Sequence, residues 1–139
     1  MLIYEALTFK TEGNTDVINL TPALQELLKR HQIRDGILVA TVQGSTAALS
    51  TIEYEPNLLE DLRTILNEII PPRRDYRHHL TWGDDNGHAH LRATMFGPSI
   101  SVICRDGELL LGTWQQIILM DFDTRPRQRK IHVAIYTED

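Results

Sequence analysis

Histidines crowd one stretch of this chain. Four of the six, His78, His79, His88 and His90, fall between Tyr76 and Leu91 (YRHHLTWGDDNGHAHL), beside Asp84, Asp85 and Asn86. Imidazole is a common metal ligand and ordinarily titrates near neutral pH, so the stretch carries the residue types for ion binding or proton transfer. It fits no fixed zinc pattern such as H-E-x-x-H. Local conformation decides how many ligands it can offer. On a helix His88 and His90 point about 200° apart around the axis, whereas on a strand they share one face. Asp85 and Asn86 are good helix caps and Gly97-Pro98 is a helix stop, which predicts a short helix. The plainer reading leaves His78 and His79 at the surface and gives His88 a capping role.

Recurrent patterns in the rest of the chain supply elements to hold this stretch. Leu2 to Phe9 reads as a strand, and Val17 to Leu20 as a second after the turn-prone Glu12-Gly13-Asn14. Thr21-Pro22 opens a helix with Leu24, Leu27 and Leu28 at helical spacing, ending near His31. The apolar run ILVATVQ predicts a buried strand that delivers Gly44-Ser45-Thr46-Ala47 at its carboxyl end. After Glu55-Pro56, leucines and isoleucines from Leu58 to Ile70 mark an amphipathic helix closed by Pro71-Pro72. SISVIC, ELLLGTWQQIILMDF and KIHVAIY then predict a carboxyl-terminal meander of strands. The expected fold is α+β: one domain over residues 1–139, with a mixed, largely antiparallel sheet packed on two or three helices.

Composition narrows the function. Nineteen acidic against fourteen basic side chains give a net charge of -5, which argues against a protein devoted to coating nucleic-acid backbone and leaves room only for a local basic patch. No apolar run reaches the roughly 18 residues of a membrane span. The single cysteine, Cys104, has no internal disulfide partner and sits in an apolar run, as a small buried hydrophobe would. The expected location is cytoplasmic, with neither nucleic acid nor membrane as partner.

Several short motifs then fall in a recognisable order: Tyr76-Arg77-His78, Asp84-Asp85-Asn86, His90-Leu91-Arg92-Ala93, Gly97-Pro98-Ser99, Asp106-Gly107, Leu111-Gly112-Thr113-Trp114-Gln115-Gln116-Ile117 and Arg125-Pro126-Arg127-Gln128-Arg129. On these residues the chain resembles the YjbQ-like family, also named secondary thiamine-phosphate synthase. The resemblance implies a mixed sheet packed with helices and a homotrimer with sites near subunit boundaries. It implies a pocket drawn from Ser45, Thr46, Glu53, Arg77, His78, Asn86, His90, Trp114, Gln115 and Arg127, with histidines at a divalent ion, Zn²⁺ or Mg²⁺. The family pattern also places a histidine where this chain has Gly44, so His79 or His88 would have to complete a ligand set with His78 and His90.

The reaction in the family's name joins a thiazole phosphate to a pyrimidine methyl diphosphate. For that chemistry Ser45 and Thr46 can donate to phosphate, Arg77 or Arg127 can clamp it, and Asn86 and Gln115 can add polar contacts. Trp114 offers a face for a flat heterocycle, and Glu53 and His90 are the candidate catalytic groups. Imidazoles suit transition ions better than the Mg²⁺ usual in diphosphate chemistry, so two rivals stand beside the transferase: a non-catalytic protein that binds a metal or a phosphorylated metabolite, and a metal-dependent hydrolase. Trp114 is equally well a core or subunit-contact residue, Ser45 and Thr46 turn formers, and Arg127 half of a solvated pair with nearby acids.

Overall fold

The computed structural model describes residues 1–138. In chain order the elements are β1 (Leu2–Thr11), β2 (Asp16–Asn19), α1 (Thr21–Arg30), β3 (Gly36–Gln43), β4 (Ala47–Ile52), α2 (Pro56–Ile69), α3 (His78–Trp82), α4 (Gly87–Phe96), β5 (Ser99–Arg105), β6 (Glu108–Leu109), β7 (Gln116–Asp121) and β8 (Arg127–Tyr136). The fold is α+β, as the sequence predicts. Two details differ. Every strand pair is antiparallel, and the described residues form four helices, because the short helix from His78 lacks the apolar periodicity that would announce it.

The strands sort into two sheets, one ordered β1-β8-β3-β5-β6 and the other β2-β7-β4. The inner face of the larger sheet follows directly from alternation: Leu38, Ala40 and Val42 on β3 and Ile131, Val133 and Ile135 on β8 all point into one core. That core is closed by Leu24, Leu27 and Leu28 of α1 and by Leu49, Ile117 and Leu119 of the smaller sheet. Strand β7 is buried along nearly its whole length because its other face is covered too. Ile118 and Met120, with Ala48 of β4, pack against Leu59 and Leu66 of α2 and Ala89 and Ala93 of α4.

The predicted meander is corrected. β7 leaves for the smaller sheet, and β8 inserts between β1 and β3, pairing residue by residue from Leu2–Tyr136 to Thr11–Arg127. The run ELLLGTWQQIILMDF is likewise two short strands separated by a loop at 110–115, since Gln115 folds back to accept from the Gly112 N–H at 2.9 Å.

Helix ends follow local chemistry. Glu55 caps α2 by accepting from the N–H groups of Asn57 and Leu58, and Pro71 follows its last turn. Thr21, read as a cap, instead occupies the first turn of α1, and its hydroxyl accepts from the Ile117 N–H at 2.8 Å, tying the helix to the smaller sheet.

Candidate functional site

The histidines are held by two helices meeting at a turn. Gly83 closes α3 in the left-handed conformation at φ 70°, and the chain re-enters a helix at Gly87. Tyr76 ties the preceding loop to the end of α2 by donating from its hydroxyl to the Pro71 carbonyl at 2.6 Å. Gly87 permits this arrangement, because a Cβ there would stand 2.9 Å from the Tyr76 Cβ and 3.4 Å from the His78 Cβ.

His78 and His90 consequently face each other, with ring centroids 4.8 Å apart and planes inclined at 64°. The His78 Nε2 atom lies 3.2 Å from Asp84 Oδ1, yet the angles leave it buried without a hydrogen bond. His79 Nε2 and Asn86 Oδ1 are buried and unpartnered as well. A cavity of about 290 Å³ opens here, lined by Tyr76, Arg77, His78, Gly87, His90 and Leu91.

The ligand set of His78, His90 and His88 does not assemble. Residues 87–96 are helical, so His88 turns away from His90 and lines a different cavity beside Arg63, Asn67 and Arg92. Burial, and then the nearby Arg92 guanidinium, push the His88 imidazole below its ordinary pKa of 6.5. Among the described residues no three His, Cys, Asp or Glu side chains converge as an ion site. Two imidazoles are one donor short of the three protein ligands usual for a catalytic zinc.

A second polar cluster lies where β4 begins and β7 ends. Arg129 grips Asp121 with two hydrogen bonds at 2.7 and 2.8 Å, both side chains buried, and reaches Thr46 Oγ1 at 2.6 Å. Thr46 donates onward to Asp123 Oδ2, which also accepts twice from Arg127. Burial would raise the Asp123 carboxyl, but hydrogen bonds from the Thr124 N–H and Thr46 and the Arg127 charge outweigh it and hold the group below its ordinary range. The Asn86 amide approaches Asp123 Oδ1 at 3.5 Å, linking this cluster to the start of α4.

Thr46 and Arg127 are therefore committed to internal partners, whereas Ser45 is exposed. Gly44 adopts φ 136°, and a Cβ there would stand 2.6 Å from Arg129 Nη1. The guanidinium thus occupies the ground into which a side chain at that position would grow.

Glu53, Trp114 and Gln115 stand apart from both clusters. They lie at the far end of β4, one strand length or roughly 20 Å from Thr46. Trp114 is 71% exposed on its loop, and Gln115 donates to Thr51 Oγ1 at 3.2 Å. Within one chain the ten residues singled out in sequence fall in three places, not one pocket: Arg77, His78 and His90 at the first cavity, Ser45, Thr46, Asn86 and Arg127 at or beside the Asp123 cluster, and Glu53, Trp114 and Gln115 at the far end of β4. Asp84, Asp121 and Arg129, which the sequence reading left out of the pocket, are the partners that matter most. The alternation of Asp121 with Asp123 and of Arg127 with Arg129 is the signal that could have found the last two.

The family model for UPF0047 protein YjbQ-like matches residues 5–138. The chain belongs to the YjbQ-like family. A UPF0047 protein of Archaeoglobus fulgidus is 35% identical over 127 residues, covering 91% of this chain and 96% of the relative. Among solved structures, a YbjQ-like protein of unknown function from Sulfolobus solfataricus superposes with a TM-score of 0.90 at 33% identity, covering 97% and 96% of the two chains. A hypothetical protein from Aeropyrum pernix gives 0.90 at 34%, covering 98% and 99%. The YjbQ-like fold thus accounts for the sheet order and helices seen here, and among the described residues no helix is long and apolar enough to cross a membrane.

Proposed function

We propose that this YjbQ-like protein takes a phosphorylated small molecule into the cavity between α3 and α4, and that the thiamine-phosphate synthase reaction is the chemistry performed there. The observation that carries the reading is His78 Nε2, a buried ring nitrogen with no hydrogen-bond partner, facing His90 in a cavity that also contains Arg77. Buried polar atoms are normally satisfied, and this nitrogen has only the poorly aligned Asp84 carboxylate 3.2 Å away, which leaves its hydrogen-bonding capacity open to a ligand's polar group. In the synthase reaction the bond from the pyrimidine methylene to diphosphate oxygen breaks as the thiazole nitrogen attacks. Arg77 can hold phosphate oxygens in bidentate fashion, and the two imidazoles can donate to the departing diphosphate. A divalent ion would require a further donor beyond His78 and His90, from water or from a neighbouring subunit.

The test is calorimetric titration with thiazole phosphate and with pyrimidine methyl diphosphate, followed by a turnover assay. Saturable binding that is lost in both His78→Ala and His90→Ala, with the fold intact by circular dichroism, is expected. Unaltered binding in both variants removes the cavity from consideration. A non-catalytic binding protein is the second reading, favoured by the absence of Glu53 from the residues lining the histidine cavity. Binding without turnover selects it.

The homotrimer implied by the family resemblance has support from the outer face of the larger sheet. Leu2, Tyr4, Ile37, Val39, Ile103 and Tyr136 are exposed there together, an apolar area of the kind that mediates association. Assembly could bring the Glu53–Trp114 end of one chain toward the histidine pair of another.

A further inference from the structure

Arg92 is 2% exposed, yet none of its partners carries a negative charge. Its Nε and Nη2 atoms donate to the carbonyls of Ile70 and Leu66 at the end of α2 and to Asn67 Oδ1, and Nη1 donates to Thr15 Oγ1 at 3.0 Å. Among the described residues no carboxylate forms an ion pair with it. The carboxyl end of α2 supplies at most about half a negative charge through its dipole. Buried charges are ordinarily paired, so a positive remainder stays on this group.

The cavity beside it is built to match. It measures about 250 Å³, and its polar lining is Asn14, Thr15, Arg63, Asn67, His88 and Arg92, with no acidic residue. Arg63 sends Nε to the Thr15 carbonyl and Nη1 to the exposed Glu60, leaving Nη2 uncommitted. One Nη1 hydrogen of Arg92 is also free, as is the Thr15 hydroxyl hydrogen. His88 is 2% exposed, and its Nδ1 is buried without a hydrogen-bond partner among the described residues.

We propose that this cavity binds a small oxyanion, a phosphate group held by Arg63, Arg92, Thr15 and His88. The anion supplies the counter-charge that Arg92 lacks and accepts the hydrogen bonds its neighbours leave unused. The site is reached from a different face of α4, through His88 and Arg92 where the His78–His90 cavity uses Gly87, His90 and Leu91, so it stands whether or not that cavity takes a metabolite.

Calorimetric titration with inorganic phosphate at constant ionic strength tests it, with methyl phosphate as a second probe to tell a free ion from an ester. One saturable site per chain is expected in the native protein. Arg63→Gln removes one charge-assisted donor at a partly exposed position and should weaken phosphate roughly tenfold or more. Asn67→Asp places a carboxylate oxygen where Oδ1 now sits, 3.1 Å from Arg92 Nη2. It should abolish phosphate binding while raising the melting temperature of the phosphate-free protein. No saturable site in the native protein, or native affinity in both folded variants, overturns the proposal. If Asn67→Asp does not fold, Arg63→Gln decides alone.

Discussion

His88 shows how one buried side chain couples stability to pH. Its folded pKa lies below 6.5, chiefly because burial disfavours the charged ring. The unfolded chain therefore binds the extra proton first as the solution is acidified. Stability is full above pH 6.5 and falls as the pH drops from there through the lowered folded value. A denaturant midpoint that declines between about pH 7 and pH 5 is expected, with a shallower decline in His88→Gln. Equal slopes would assign the sensitivity to another group. Asp123 acts in a second window: its lowered carboxyl pKa confers stability above 3.8 that is lost on further acidification. Cys104, by contrast, is fully buried and its thiol is pushed up by burial, so it behaves as a small apolar residue and is a poor nucleophile.

At the level of elements, Gly87 decides how α4 meets the loop before α3. Alanine normally improves a helix by about 1 kcal/mol over glycine. Here the added methyl would meet the Tyr76 Cβ at 2.9 Å and Cγ at 3.1 Å, atoms near the backbone that cannot swing aside. Gly87→Ala should therefore destabilise the protein by about 1–3 kcal/mol in chemical denaturation and shift His78 relative to His90. A stabilised variant would show that the loop adapts freely. The same contrast explains what the sequence could reveal. The alternation of β1, the apolar β-branched run of β3 and the leucine spacing of α2 before Pro71-Pro72 are local signals, and each predicted its element. The helical register that separates His88 from His90 was local too. What escaped depends on distant partners: Gln115 folding back on Gly112 to break a strand, Arg92 satisfying the end of α2, and the strand length between Thr46 and Glu53 that divides the candidate residues. Spacing along a chain carries no record of such distances.

For the whole molecule, the exposed outer face of the larger sheet is where the proposed trimer is tested. Ile37 and Val39 on β3 sit near its centre, and Tyr4, His132 and Gln43 form a hydrogen-bonded chain across three strands of the same face. If the proposed trimer forms through this face, the native protein sediments as a trimer and Ile37→Lys sediments as a monomer with little change in secondary structure, since the added charge lies outside the core. A native protein that sediments as a monomer would refute the trimer outright.

The placement of β8 has a consequence for synthesis. Between β1 and β3 lies a slot one strand wide, and residues 127–136, which fill it, emerge from the ribosome more than eighty residues after β3. Through that interval a nascent chain holds two facing strand edges without their common neighbour. Unpaired edges recruit other strands, so the half-made protein is open to a chaperone or to a strand from another copy until its own arrives.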